Sequence, residues 1–190
     1  MLNHRHSFAR VLLLSAIISF IGFSPASSRI WKASPDQIAK EYAIINDSRP
    51  NGEFVVLTWF VPTMVRPDAS GANVMIAALK KYVVVTAAHG QLDKTTAKVT
   101  FLDIDALEAK DQDARPLTPV ARDDLPPTTA GMLITTEAFF RQSLGALGKG
   151  LKMFVFDAGA VDSCKQGRLS VPFAGETYTW ETPIPGCPQR

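Results

Sequence analysis

The chain has 190 residues, of which 46% are hydrophobic and 20% are charged, with 13 Pro and 12 Gly. This composition predicts a globular domain with a hydrophobic core and excludes a collagen, a coiled coil and a mainly disordered chain. The formal net charge of +2 comes from Arg5 and Arg10, because residues 1–28 contain no acidic residue. The rest of the chain is formally neutral and has no Lys/Arg stripe, so we expect no nucleic-acid partner.

Residues 1–28 have the layout of a secretory signal peptide: a polar start, an apolar stretch over 11–23 and then small residues. As a helix the apolar stretch would span about 20 Å, too little for a hydrocarbon core of about 30 Å. We therefore expect cleavage rather than an uncleaved anchor. Ala26 and Ser28 are small residues of the kind that signal peptidase accepts before its cleavage site. We place cleavage after Ser28, with Ala26 as the competing site. No Cys follows, which excludes a lipoprotein.

The mature chain, residues 29–190, is accordingly predicted to be one exported domain, periplasmic or secreted, with no stable membrane span. Its only cysteines are Cys164 and Cys187. An even number of cysteines in an oxidising compartment predicts one intramolecular disulfide. The spacing does not favour a redox or metal pair.

Two helices are predicted from their capping patterns, and a third from its periodicity. Ser34 precedes a proline, an acid and a glutamine, the pattern of a capped start, and predicts a helix over 35–46 with Ile38, Tyr42 and Ile45 on one stripe. A short helix is predicted over 73–81.

The second capped helix is predicted to begin at Thr136 and to stop at Gly148. Its inward face would carry four apolar side chains: Phe139, Phe140, Leu144 and Leu147. In the helix over 73–81, the inward side chains would be Val74, Ala77 and Ala78. The prolines over 116–127 predict an extended surface loop at 121–129.

Strands are predicted where β-branched and aromatic residues cluster. Residues 54–61 and 82–88 are almost wholly apolar, which indicates central strands, and 153–156 indicates another buried strand. Shorter strands are expected at about 98–110 and 116–121, joined by a polar turn at 111–115. Near the C-terminus, Leu169, Val171 and Phe173 alternate with other residues before a link at 174–176, and Tyr178 and Trp180 alternate after it, which predicts a half-buried hairpin.

Strand patterns outnumber helical ones and no βαβ alternation persists. The predicted fold is mainly β, an antiparallel sheet or sandwich with two or three short helices, with an α+β fold as the alternative.

His89 is the only histidine of the predicted mature chain. Residues 85–90 read VTAAHG, and this block resembles the one that carries the catalytic histidine of chymotrypsin-like serine proteases, which implies a general base at His89. The chain departs from that family in having Gly90 where the family has Cys and in lacking a GDSGG motif. A histidine at a strand end is otherwise structural, bonded to backbone or to a carboxylate.

Five acids cluster in one short region: Asp103, Asp105, Glu108, Asp111 and Asp113. Asp111 and Asp113 have the spacing of the first two ligands of a calcium-binding loop. Arg115 stands at the position of the third ligand, however, and the turn glycine is missing. These two are weak metal candidates, and the alternative is a solvated turn. No cofactor is expected.

Tyr178 and Trp180 have two possible roles. Aromatic rings on an exported β hairpin can stack on sugars, whereas the alternation places these rings in the core. The sequence thus favours a non-enzymatic cell-envelope module that binds a protein or glycan partner. The alternatives are a small periplasmic hydrolase that uses His89 and a purely structural envelope protein.

Overall fold

The computed structural model describes residues 42–143 and 147–188. The predicted signal peptide and the start of the first predicted helix, residues 35–41, lie outside them. The described chain forms seven strands and, within these residues, two α-helices. The strands are β1 (Ala43–Asn46), β2 (Glu53–Phe60), β3 (Tyr82–Asp93), β4 (Lys98–Phe101), β5 (Lys152–Asp157), β6 (Gly167–Phe173) and β7 (Glu176–Thr182). The helices are α1 (Ala72–Lys81) and α2 (Pro127–Ser143).

Five strands form one antiparallel sheet around β3. Strand β3 pairs with β2 along one edge, and its other edge is shared by β5 and β4. Strand β1 extends the sheet beyond β2, and β6 and β7 form a separate hairpin. This confirms a mainly β fold built from antiparallel sheets with few helices.

The two faces of the sheet are covered differently. Successive strand residues point to opposite faces, and in β2 the indole of Trp59 meets Trp180 of the hairpin at 6.2 Å between ring centroids. The neighbouring Phe60 meets Phe140 of α2 at 5.4 Å. The hairpin therefore covers one face of the sheet and α2 covers the other.

The hairpin that the alternation predicts is present. Four of its alternating side chains are buried: Leu169, Val171, Tyr178 and Trp180. Its connection is two residues long rather than the predicted three, since Phe173 already pairs with Glu176. Ala174 and Gly175 have φ values of 48° and 80°. Two successive left-handed residues match the right-handed twist of the flanking strands.

The first predicted helix is wrong over its described end. Residues Ala43–Asn46 form β1 and pair with residues 55–58 of β2. Backbone pairing with the edge of β2, together with the β-branched Ile44 and Ile45, outweighs the helical spacing. Ile45, expected on the buried stripe, is 56% exposed, while Tyr42 is 1% exposed.

Helix α2 begins nine residues before the predicted start, at Pro127 instead of Thr136. The expected extended loop at 121–129 is thus wrong over 127–129, which belong to the helix, and residues Arg122–Asp124 form a short 3-10 turn. Pro126 and Pro127 indicated a break, but proline is compatible with the first turn of a helix, where its missing N–H costs nothing. Phe139, expected inward, is exposed, whereas Phe140 packs on Phe60.

Helix α1 confirms the prediction over 73–81, but its inward face differs from the expected one. Val74 and Ala77 are exposed, and only Ala78 of the predicted set is buried. The helix instead turns Ala72 and Leu79 into the core, with Met75 packed against it.

The region from 98 to 121 contains less strand than predicted. Only Lys98–Phe101 joins the sheet, and later residues make isolated bridges such as Pro119 to Phe156. Prolines at 116 and 119 cannot donate to a ladder, yet Ile104, Leu107 and Ala109 are buried beneath this irregular stretch. The predicted turn at 111–115 is present.

The predicted disulfide is present and joins Cys164 to Cys187. It links the segment before β6 to the segment after β7. No helix in the described ranges is both long and apolar enough to cross a membrane.

Candidate functional site

His89 lies inside β3, opposite Val55 of β2, and not at a strand end as expected. Its Nε2 atom lies 2.6 Å from Oε1 of Glu53, and its ring meets the edge of Phe173 at 5.5 Å between centroids. Position 89 is therefore on the face of the sheet that the hairpin covers. Its imidazole joins the sheet to the end of β6.

Arg49 extends this contact to the hairpin turn. Its Nε atom lies 3.1 Å from Glu53 Oε1, and its Nη1 donates to Glu176 Oε1 at 2.5 Å. Its Nη2 donates to the carbonyl of Ala174 at 2.6 Å. The polar cluster of Arg49, Glu53, His89 and Glu176 thus fixes the hairpin turn against β2 and β3.

The carboxyl of Glu53 is the centre of the polar cluster. The hydrogen bond to His89 has the largest influence and, with the charge of Arg49, holds the pKa of Glu53 below its usual value against the opposing effect of burial. A carboxyl with a lowered pKa stabilises the fold in its ionised form. Its contribution is present above the pKa of the unfolded chain and is lost as the pH falls through the lower folded-state pKa.

We expect Glu53→Gln to lower the free energy of unfolding at about pH 6, and this difference from the parent protein to shrink as the pH falls below the unfolded value near 4.5. Urea denaturation at several pH values measures it. The exposed Glu181→Gln provides the matched control. A difference between Glu53→Gln and the parent that grows towards low pH would contradict this role of Glu53.

The contacts of His89 bear on the hydrolase hypothesis. In a nucleophilic catalytic site, a carboxylate orients the histidine. The histidine in turn hydrogen-bonds to the hydroxyl or thiol that it activates. In the described part of the chain, the side chain of His89 hydrogen-bonds to Glu53 alone. Both cysteines are in the disulfide. The described contacts of His89 therefore include an orienting carboxylate and no hydroxyl or thiol partner.

The aromatic binding candidates are both buried. Tyr178 and Trp180 are each 6% exposed. The indole Nε1 of Trp180 donates to the carbonyl of Tyr42 at 3.0 Å, and the hydroxyl of Tyr178 accepts from Asn46 Nδ2 at 3.3 Å. Neither ring presents a face to solvent on which a sugar could stack.

The weak metal candidates lie in the turn 111–115, which is closed by the isolated bridge between Lys110 and Pro116. Asp111 is 5% exposed, and its Oδ1 accepts from the backbone N–H groups of Asp113 and Arg115 at 2.9 and 3.0 Å. Burial raises the pKa of Asp111, but these N–H groups and the Arg115 guanidinium together hold it below its usual value. Asp113 pairs with Arg115 at 2.7 Å. The carboxylates of Asp111 and Asp113 therefore stabilise the turn 111–115.

Among the other acids of that region, Asp103 pairs with Lys152 at 3.1 Å. Within residues 42–143 and 147–188, no group of three or more histidine, cysteine or acidic side chains is arranged to hold a metal ion.

A groove that sequence reasoning missed lies between α1, α2 and the 3-10 turn Pro62–Met64, with a volume of about 500 Å³. None of its lining residues is charged. Three methionines line it, one from each element: Met64, Met75 and Met132. Methionine adapts its shape to different apolar surfaces, and the volume falls within the range of ligand pockets.

The outer surface of α2 continues the groove. Gly131 and Thr135 line the groove, and Ile134, three residues after Gly131, is 53% exposed. Residues three and four apart are neighbours on a helix surface. Ile134 therefore borders Gly131, and Phe139, four residues after Thr135, borders Thr135. These two exposed side chains extend the apolar area along α2. We call the groove and these two side chains the α1–α2 surface.

The other side of α2 is fixed to the body of the protein through a buried carboxylate. Glu137 is 7% exposed, receives a hydrogen bond from Arg122 and pairs with Arg141 Nη2 at 2.9 Å. Because Arg141 belongs to α2 and Arg122 does not, the contact with Arg122 is the one that ties α2 to the turn Arg122–Asp124.

One signal in the sequence could have indicated the α1–α2 surface. Residues 127–136 carry no charge although they belong to a surface helix, and such a helix ordinarily has a charged outer face.

Comparison with known proteins gives no further information about this site: no protein-family model, curated protein or solved structure matches the chain.

Proposed function

We propose that the protein is a non-enzymatic module of the cell envelope, exported to the periplasm or beyond, that binds an apolar segment of another protein at the α1–α2 surface. The observation that carries this proposal is the uncharged, methionine-lined groove beside an uncharged helix face. A surface without charge complements an apolar partner, because a charged partner would lose hydration without gaining an ion pair.

Two further observations support binding by a protein rather than catalysis or glycan recognition. The one histidine in the described chain is engaged by Glu53 within the polar cluster. The hairpin aromatics Tyr178 and Trp180 are buried in the core. Within the described residues His89 has no hydroxyl or thiol partner to activate, and the hairpin has no exposed ring to serve as a sugar platform.

Export is supported by the disulfide between Cys164 and Cys187, since disulfides persist in oxidising compartments. The apolar stretch in residues 1–28 supports the same location from the sequence.

Introducing a charge into the groove tests the proposal. Thr135 lines the groove and is exposed, so Thr135→Arg should leave the fold intact. We expect it to weaken partner binding by at least about tenfold, because burying an unpaired guanidinium costs more than 1.4 kcal/mol. The matched control is Thr177→Arg, on the exposed side of the hairpin.

The assay begins with exported protein immobilised and exposed to an envelope extract of the producing cells. A protein retained by the parent is then purified, and its affinity for the parent and both variants is measured by titration calorimetry. Loss with Thr135→Arg alone supports the proposal. Equal affinity of all three forms overturns it.

The same material tests the hydrolase alternative. The parent and His89→Gln are incubated with panels of ester, peptide and glycan substrates at a temperature where both are folded. We expect no turnover by either. Turnover by the parent that His89→Gln abolishes would replace the binding module with an enzyme.

A further inference from the structure

The exposed face of α2 carries a row of uncharged residues. Gly131, Thr135 and Phe139 are four residues apart, so they lie in one row along the helix surface. Phe139 is 62% exposed, and Ile134 beside the row is 53% exposed. The hydroxyl of Thr135 donates to the carbonyl of Gly131 at 2.9 Å, so its polar atom is already satisfied within α2. Rows of this kind interdigitate in the commonest packing of two helices.

The row has a large side chain at one end and an open space at the other. A Cβ atom at Gly131 would meet no atom within 4 Å, so no contact in the described chain requires glycine there. Glycine destabilises a helix interior relative to alanine. The open space adjoins the groove, which Gly131 lines together with Met132. Gly131 and Phe139 lie on opposite sides of Thr135, each about 6 Å from it along the helix axis.

This equal spacing makes the row complementary to a second copy of itself. When two α2 helices pack antiparallel about a two-fold axis at Thr135, Phe139 of each copy lies opposite Gly131 of the other. Each phenyl ring then fills the open space beside Met132 and covers the edge of the groove. The contact removes two large exposed apolar side chains of each copy, Ile134 and Phe139, from water.

The charges at the two ends of α2 favour the antiparallel arrangement. Before its N-terminal end, Asp123 and Asp124 are exposed and have no ion-pair partner in the described chain. Near its C-terminal end, the side chain of Arg141 is 48% exposed, and its Nη1 group makes no hydrogen bond within the described residues. Antiparallel packing brings Arg141 of one copy towards the acidic end of the other, whereas parallel packing brings like charges together.

We propose that two copies of the chain pair through α2, antiparallel about Thr135, with Phe139 of each copy seated at Gly131 of the other. The pairing goes beyond the proposed function and does not depend on it. The partner of the proposed function would compete with the second copy for the α1–α2 surface, and only this competition rests on the proposed function. The apparent affinity for the partner is then reduced by the fraction of chains whose surface is open.

Sedimentation equilibrium of the purified exported protein tests the pairing. A contact made by one helix face is smaller than the standard interface of a stable complex, so we expect a reversible dimer with a dissociation constant of about 10–100 µM. We expect Phe139→Ala and Gly131→Gln each to weaken the pairing by at least about tenfold. The first substitution removes the ring, and the second fills the space that the ring occupies.

Both variants should remain folded. Phe139 is exposed, and position 131 is exposed with open space around it, where glutamine favours a helix more than glycine does. Thr177→Arg on the exposed side of the hairpin is the matched control and should pair like the parent. A parent that stays monomeric up to about tenfold above the expected dissociation constant would overturn the proposal. A dimer that persists unchanged in both α2 variants would also overturn it, because the contact would then lie elsewhere.

A cysteine at the axis tests the position of the contact. Residue 135 faces its own counterpart across the two-fold axis, so we expect oxidation of Thr135→Cys to give a covalent dimer. Thr177→Cys is the control and should stay monomeric under the same conditions. Failure of Thr135→Cys to cross-link, or equal cross-linking by the two variants, would contradict the proposed arrangement.

Partner titration separates this inference from the proposed function. If the copies do not associate but Thr135→Arg still loses the purified partner, the pairing fails alone. If the copies pair as expected but Thr135→Arg and the parent bind the partner alike, the proposed function fails alone.

Discussion

Trp180→Ala is expected to lower the free energy of unfolding by about 3–5 kcal/mol, among the largest effects of any single substitution in this chain. The indole is 6% exposed, packs edge-on against Trp59 at 6.2 Å and donates to the carbonyl of Tyr42 at 3.0 Å. Its removal leaves a cavity between the hairpin and the sheet that the surrounding strands cannot fill. Urea denaturation of the oxidised protein measures the loss.

Thr177→Ala, on the exposed side of the same strand, is the control and should change stability by less than about 0.5 kcal/mol. A Trp180→Ala variant with the denaturation midpoint of the parent would show that the indole is not part of the core. If that variant also lost affinity for a glycan, the stacking role of Trp180 would replace the core role.

Phe156→Ala is expected to cost a similar amount, about 3–5 kcal/mol. Phe156 is 1% exposed, pairs with Val83 of the central strand and makes an isolated bridge to Pro119 on its other side. It therefore joins the regular sheet to the irregular chain between β4 and α2. Removing the phenyl ring would leave a cavity in the core where the irregular chain packs against the sheet.

Phe139→Ala removes the same side chain from a site that is 62% exposed. We expect it to cost less than about 1 kcal/mol, mostly from its edge contact with Phe140. Thermal denaturation of both variants beside the parent makes the comparison. Equal destabilisation by Phe139→Ala and Phe156→Ala would contradict the assignment of Phe156 to the core.

Local patterns in the sequence predict the centre of this fold well. The apolar runs at 54–61 and 82–88 become β2 and the first part of β3, and the alternation around Trp180 becomes the hairpin. In these places the local pattern and the tertiary environment favour the same structure, so a short window of sequence is sufficient.

The predictions are wrong where pairing between distant segments decides the structure. Residues 43–46 have helical spacing, but they pair with residues 55–58 of β2, and that pairing decides their structure. Residues 104–109 are buried without a ladder, which no alternation can indicate. The early start of α2 was obscured by Pro126 and Pro127, which break helices in the interior but not at the first turn.

The candidate site was less predictable than the fold. His89 was identified from its residue type, but its partner Glu53 lies on a neighbouring strand and Arg49 reaches it from the preceding loop. The α1–α2 surface is assembled from three separate parts of the chain. Only the uncharged stretch at 127–136 marks it locally, and that stretch alone does not distinguish a buried helix from an exposed binding face.

Site-specific photo-cross-linking in the exporting cell tests the central claim most directly. A benzophenone side chain is incorporated at Thr135 in the groove or at Thr177 on the hairpin, and the exported protein is irradiated before extraction. The account predicts one discrete adduct with a second protein from position 135 and none from position 177. The absence of an intermolecular adduct at 135, or the same adduct from both positions, would contradict the assignment of the α1–α2 surface as the binding site.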